Sequence, residues 1–387
     1  MKNLPNEWEE VKLEKYIELV KSGVKKFNGK KRYIATGSIE TGKIVNYEEF
    51  EYETRPSRAN MEVQENDVLF AKMKDTEKVY LITKEDKDNL YSTGFAILRI
   101  TNKEKIIPKY LYYWLITSDF QNKKNKESTG ATQKAISDNK IKKFKILIPP
   151  SDYQNKIVSI LDKVSQLKNW REKADNLTKE YLESVFLEMF RKTKKSETKK
   201  IGELTEVKTG KTPSRKNEDY FNGSIPWVKT TELKDNIICG SQEHITEDAV
   251  KEADMKFYPK STILIAMYGQ GKTMGRTAKL GIESTSNQAC AAILPSNKIN
   301  MDYLWYFLIS SYKRIRLMGR GGNQPNLNLN IIKSVEVPFP DVNLQNKFAS
   351  IFNYIQKVKI NQEKSKQQID SMFDSLIQRA FRGELVC

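Results

Sequence analysis

"QNKIVSILDKV", residues 154–164, and "QNKFASIFNYI", residues 345–355, are one phrase written twice, 191 residues apart in a chain of 387. Outward from it the likeness continues. "GATQKAISDNKIKKFKI" (130–146) lines up with "GNQPNLNLNIIKSVEV" (322–337), setting Gln133 against Gln324 and Ile136 against Leu327. "YLESVFLEMFR" (181–191) answers "MFDSLIQRAFR" (372–382), pairing Phe190 with Phe381 at the same spacing. Upstream the spacing drifts by a few residues, with "PKYLYYWLI" matching "MDYLWYFLI" and "DVLFA" (67–71) matching "TILIA" (262–266). A likeness that spans both halves of a chain in the same order is a tandem duplication.

Each half opens with short apolar runs of strand length and one apolar helix. A proline-marked break follows, "IPPSD" at 148–152 and "VPFPD" at 337–341, and then about forty residues free of Pro and Gly. Such stretches predict two long helices, with Asp152 and Asn343 as N-caps and Gly383 as the stop of the second. Read in heptads, the second helix sets Phe348, Ile355, Gln362, Ile369 and Leu376 on one row and Phe352, Lys359, Lys366, Phe373 and Ala380 on the other. The first offers Ile157, Leu161, Val164, Leu167, Ala174, Leu177, Tyr181 and Val185. Both stripes turn polar in the middle, at Lys168, Arg171 and Asp175 and at Lys359, Gln362 and Lys366, which costs stability but fixes register. The expected class is therefore α+β. Two similar mixed α/β domains are separated by a pair of long antiparallel coiled-coil helices, with an internal pseudo-twofold repeat. The expected boundaries are 1–150 for the first domain, 151–197 for its helix, 198–340 for the second domain and 341–387 for the last helix. At about 1.5 Å per residue such helices make a spacer of roughly 60 Å; two ordinary helices, each packed on its own domain, are the alternative.

Charge narrows the partner. With 66 Lys and Arg against 49 Asp and Glu the chain carries +17, which favours a polyanion, nucleic acid before a membrane surface. No apolar run approaches the roughly 18–20 residues of a bilayer span, and the opening "MKNLPNEWEE" is no signal peptide. Cys239, Cys290 and Cys387 are too few and scattered for a disulfide framework, so a reducing cytoplasm is expected.

"AMYGQGKTMG" (266–275) looks like a phosphate-binding loop but has Ala266 where the pattern needs glycine. The equivalent stretch of the first half, "LFAKMKDTEK", lacks Gly-Lys-Thr altogether, and "KTGKTPS" (208–214) runs straight into Pro213. DNA contact fits these loops better. Glycine lets a backbone approach a duplex, Lys and Arg neutralise phosphates, and Gln and Arg read base edges. The candidate DNA-binding residues are Tyr268, Gln270, Lys272, Thr273 and Arg276 on the Gly-rich turn, and Lys211, Ser214 and Arg215 in "KTGKTPSRKN". Arg320, Asn323 and Gln324 stand in "MGRGGNQPNLN", Thr132, Gln133 and Lys134 in its first-half counterpart, and Lys72 and Lys74 in "FAKMKD". Gln270 and Arg276 are assigned to bases, Lys272 and Lys211 to phosphates. Any one of these loops alone reads as a solvated turn; their recurrence in a duplicated basic chain favours DNA.

No active site is legible. The single histidine, His244 in "SQEHITED", reads as a surface residue, and the cysteines lack the spacing of a zinc site. Pro149-Pro150 follows Ile148 rather than the Asn or Asp of an amino-methyltransferase, and "EADMK" (252–256) has only the Asp-x-Lys end of a nuclease pattern. No catalytic residue, metal site or cofactor is expected.

Taken together these residues resemble the DNA-specificity (S) subunits of Type I restriction–modification enzymes. The resemblance covers essentially the whole chain. It rests on the half-repeat, on "IPP…QNKIVSILDKV" and "VPFPDVNLQNKFASIF" opening the long helices, on "LIQRAFRGEL" near the end, and on "ILIAMYGQGKTMGRTAKLG…TSNQA". It implies that 1–150 and 198–340 are target-recognition domains, each reading one part of a bipartite site in double-stranded DNA. It implies that the helices set the gap and dock two methyltransferase subunits. Methyl transfer from S-adenosylmethionine, and ATP- and Mg-dependent translocation and cleavage by a restriction subunit, would then belong to partners. The first domain departs from the pattern in lacking the Gly-rich loop. A non-specific architectural DNA binder, a coiled-coil scaffold without DNA and a nucleotide-hydrolysing enzyme are the other readings.

Overall fold

A computed structural model of the chain describes residues 7–130, 133–190, 198–269, 271–319 and 326–385. These divide into two compact units, 1–172 with 364–387, and 173–363. Each unit therefore holds one globular region and half of each long helix, Ser151–Phe190 and Val342–Phe381.

In the first unit the main sheet is antiparallel, in the order Ile17–Leu19, Phe95–Ile100, Val68–Ala71, Val79–Leu81. A smaller sheet, Glu48–Phe50, Lys31–Ile34, Leu90–Ser92, Ala59–Met61, contains one parallel pair, Lys31–Ile34 with Leu90–Ser92. The second unit repeats the plan. Its main sheet runs Val207–Thr209, Cys290–Ile293, Ile263–Ala266, Thr277–Leu280 and adds Asn236–Ile238; its smaller sheet again has one parallel pair, Ile225–Val228 with Thr285–Ser286. "VLFA" and "ILIA" are buried along their whole length, which is why they read as unbroken apolar runs and not as alternation.

The apolar helix of each half packs on the main sheet. Pro108–Ile116 starts with proline in its first turn, and Met301–Ser310 is capped by Asn300, whose side chain accepts from Asp302 N and Tyr303 N. Tyr110 donates to the Leu147 carbonyl at 2.7 Å and Tyr303 to the Pro338 carbonyl at 2.8 Å. The tyrosine rings then meet Phe381 at 4.9 Å and Phe190 at 4.8 Å, each from the tail of the long helix that began in the other half of the sequence.

Within each unit the two helix halves keep a strict 3–4 repeat. In the first, Ile157, Leu161 and Val164 are buried in one core with Phe373, Ile377 and Ala380. In the second, Leu182 and Phe190 share a core with Phe348, Phe352 and Ile355. The polar middles meet as expected. Lys168 pairs with Asp370 at 2.7 Å, and Gln362 donates to Thr178 at 2.9 Å. At the place equivalent to Lys168, Lys359 stands beside Lys179, and burial, then that like charge, pulls its ammonium below the usual lysine range.

Two expectations are corrected. Leu167, Leu177 and Tyr181 are not in the seam but exposed, because the 3–4 repeat carries the contact line through Lys168, Arg171, Asp175 and Thr178 instead. The caps also sit earlier than Asp152 and Asn343. The Pro150 carbonyl accepts from Tyr153 N and Gln154 N, while the Asp341 carboxylate accepts from Asn343 N at 2.8 Å. Gly383 does stop the second helix: at φ 73° it donates to Ala380, and Glu384 donates to Arg379 at 2.9 Å, the Schellman pattern.

Candidate nucleic-acid interface

The Gly-Lys-Thr segment lies between Ile263–Ala266 and Thr277–Leu280, two antiparallel neighbours with Ile265 opposite Thr277. It is a hairpin loop. A phosphate cradle of the nucleotide-binding kind needs a helix after the glycines, and here a strand follows. Gly269 (φ 145°) and Gly271 (φ 61°) take backbone conformations that other residues resist, and a Cβ on Gly269 would stand 2.7 Å from Thr273. The loop is thus folded over itself, presenting Tyr268 and Lys272 on the surface while Thr273 is half-buried.

A second loop meets it. Tyr268 donates through its hydroxyl to the Gln288 carbonyl at 3.3 Å, and Thr209 donates to the same oxygen at 3.1 Å. Lys211 N donates to the Ser286 carbonyl at 2.9 Å, and the Trp227 indole donates to the Lys211 carbonyl at 3.0 Å. A side chain at Gly210 would collide with the Ser286 carbonyl at 2.1 Å, so only glycine allows this approach. The structure therefore brings the segment from Thr209 to Thr212, with Lys211, to the edge of the loop that carries Tyr268, with Gln288 between them, while Arg215 lies against Glu243, Phe221 and Trp227.

The first unit shares the frame, Lys72 N donating to the Gly94 carbonyl at 3.0 Å as Met267 N does to the Ala289 carbonyl at 2.8 Å, and adds a contact of its own. Lys74 N donates to the Lys134 carbonyl at 2.9 Å and Ile136 N to the Lys72 carbonyl at 3.0 Å. These bonds gather Lys72, Lys74, Gln133 and Lys134 at one place. The second unit has the equivalent bond, Leu327 N to the Met267 carbonyl at 2.9 Å.

Ion pairs sort the cations. Arg276, assigned above to a base, pairs in the unbound chain with Asp235 and lies over the Tyr312 ring at 4.7 Å. Arg215 pairs with Glu243 at 2.8 Å and lies over Phe221 at 4.1 Å. Lys229 beside it, with Arg215, holds the Glu243 carboxyl below the usual range. Lys72 faces Asp138 at 3.6 Å, and Lys211 bonds Asp254 at 3.1 Å. Asp254, the carboxylate of the nuclease-like "EADMK", is held low by Lys211 and Lys256. Lys74, Lys134 and Lys272 are exposed and make no ion pair among the described residues, so their charges are free for a phosphate.

Thr132, Gln270, Arg320, Asn323 and Gln324 lie outside the described residues. Three residues at these junctions escaped sequence reading. Gln288 is exposed between two loops, and only its place in "TSNQA" marks it. Lys124 and Arg316, on helices Ser118–Glu127 and Tyr312–Met318, look like ordinary polar positions in the sequence. Among the described residues no group of three or more His, Cys, Asp or Glu side chains could hold a metal ion, and no helix is long and apolar enough to cross a membrane.

Two duplicated units each present a polar, basic loop junction. Residues 5–177 and 193–371 each match the Type I restriction modification DNA specificity domain. The chain belongs to that family. It is 27% identical over 281 residues to the EcoR124I/EcoR124II specificity subunit of Escherichia coli, covering 68% of this chain and 66% of that one. It is 30% identical over 192 residues to the MjaIX specificity subunit of Methanocaldococcus jannaschii, spanning 48% of this chain and 43% of that subunit. With the HindI specificity subunit of Haemophilus influenzae it shares 21% over 438 residues, covering 91% and 94%. The fold matches the S subunit of a Type I restriction–modification system from M. genitalium with a TM-score of 0.61 at 16% identity, covering 98% of this chain and 97% of that one. A chain from a study of assembly and conformational transition of the type I system superposes with a TM-score of 0.63 at 19% identity over the full length of both.

Proposed function

We propose that this chain is the non-catalytic, sequence-reading subunit of a Type I restriction–modification complex, binding a two-part site in double-stranded DNA. Residues 1–150 read one half-site and 198–340 the other. Residues 151–197 and 341–387 space them and dock two methyltransferase subunits. The observation that carries this reading is one loop frame built twice with different side chains at its rim: Lys72 N donates to the Gly94 carbonyl and Ile136 N to the Lys72 carbonyl in one copy, Met267 N to the Ala289 carbonyl and Leu327 N to the Met267 carbonyl in the other. Equivalent frames with unlike tips suit two different half-sites. Free lysines position the frame on phosphates; Gln133 and Gln288 have the donor and acceptor pair that reads adenine.

The exposed apolar side chains of the first long helix, Leu167, Trp170, Leu177 and Tyr181, support docking of a protein partner there. S-adenosylmethionine would be used by the docked methyltransferase subunits, and ATP and Mg by a restriction subunit; this chain needs no cofactor of its own. The test is a selection from random-sequence duplexes with the assembled complex. The expected result is enrichment of one motif with two parts and a fixed gap. Enrichment of no motif, with binding retained, would make the chain a non-specific architectural binder.

A further inference from the structure

The tips of the two hairpin loops are held from below in the same way. In the first unit the Lys124 ammonium, on a wholly buried residue, donates to the Thr76 carbonyl at 2.6 Å, and Asn125 next to it accepts from Asp75 N at 3.0 Å. Asp75 is forced to φ 56° at this turn. In the second unit the Arg316 guanidinium donates to the Gly271 carbonyl at 2.5 Å and to the Tyr312 hydroxyl at 2.7 Å, which donates in turn to the Lys272 carbonyl at 2.8 Å. Thr76 and Gly271 are 195 residues apart, the spacing that relates "DVLFA" to "TILIA". Both cations come from the helix that follows the apolar helix of their half. The contact recurs on the same helix of each half, made by a lysine in one and an arginine in the other.

A buried charge is costly unless it is paired or fully hydrogen-bonded. Lys124 sits close to Asp75 and Glu77, whose charges oppose the desolvation that pulls it down. An apolar residue would fill the same space without that cost, so the ammonium is kept for what it holds. What it holds is the carbonyl between Lys74 and Lys78.

We propose that Lys124 and Arg316 are equivalent positioning residues, each setting the tip of one recognition loop and thereby the readout of one half-site. The proposal rests on the specificity reading above. Neither side chain touches DNA; each fixes the backbone that carries residues which do.

The test is the duplex selection repeated with complexes containing K124M, K124R, R316M or R316K, with thermal unfolding and affinity for a non-cognate duplex measured alongside. K124M should blur one half of the motif by at least tenfold in preference while leaving the other half and non-cognate affinity in place and the complex folded at the assay temperature. R316M should do the reverse. K124R and R316K, which keep a cationic donor, should restore part of the lost preference. Motif halves unchanged in both methionine variants overturn the positioning role alone. Equal loss in both halves, or loss in step with unfolding, also overturns it. A wild-type complex that enriches no two-part motif overturns the specificity reading, and this proposal with it.

Discussion

Gln154 accepts a hydrogen bond from the backbone N–H of Ile107 at 2.9 Å, tying the first turn of a forty-residue helix to the start of the apolar helix Pro108–Ile116. Its amide nitrogen donates to the carbonyls of Lys105 at 2.7 Å and Pro149 at 2.8 Å. Gln345 repeats the device, accepting from Asn300 N at 3.0 Å and donating to the Pro340 carbonyl at 2.9 Å. Both glutamines are buried, so the joint between globular region and long helix is one satisfied polar knot in each unit.

Substituting Leu at either glutamine leaves a buried N–H and carbonyl unpaired. Q154L and Q345L should each cost about 1–3 kcal/mol, measured by denaturant unfolding. Q154E keeps the acceptor but sets a buried carboxylate against the Lys105 and Pro149 carbonyls, and should cost more than Q154L at neutral pH. A neutral Q154L would show that the knot does not hold the joint.

K272A, K74A and K134A remove charges that no ion pair engages. Each should weaken binding to every duplex and flatten the salt dependence by about 0.9 in slope if it meets one phosphate. R276A is expected to behave differently. It strips the partner from Asp235, whose carboxylate then keeps only Thr277 N at 3.1 Å and the Thr277 hydroxyl at 3.0 Å, so the unfolding temperature should fall. A salt slope unchanged by K272A, together with one flattened by R276A, would reverse these assignments.

Lys124 makes stability depend on pH. Burial brings its folded value down to about 8 from an ordinary 10.5, so between those limits the unfolded chain holds a proton that the folded chain has released. Stability therefore rises as pH increases from about 8 towards 10. The difference in unfolding temperature between wild type and K124M should shift in favour of wild type across that window. A constant difference would mean that Lys124 titrates normally.

Inserting seven residues into both long helices lengthens the spacer by roughly 10 Å. The gap between half-sites should grow by about three base pairs at 3.4 Å each, read out by duplex selection. An unchanged gap would show that the helices are not the ruler.

Much of this was legible because duplication leaves a pattern that single motifs do not. The repeated "QNK" phrase, the tyrosines of the two apolar helices and Gly383 all do what their positions suggest. The seam was misread where apolar residues drew the eye. Leu167, Leu177 and Tyr181 are exposed because heptad spacing, not hydrophobicity, decides which residues face the partner helix. Arg276 has a partner that its surroundings in the sequence do not show. A cation beside a Gly-rich turn suggests DNA, but Asp235 is forty-one residues earlier, and only folding brings them together. Lys124, Arg316 and Gln288 carry no local signature, since their roles come from contacts across elements distant in sequence.

The most direct measurement is a base-modification map of genomic DNA from the source organism with this gene intact and deleted. Adenine methylation should disappear on deletion from one two-part motif with a fixed gap, and from nowhere else. Identical maps, in cells where a methyltransferase co-purifies with this chain and is active, would contradict it.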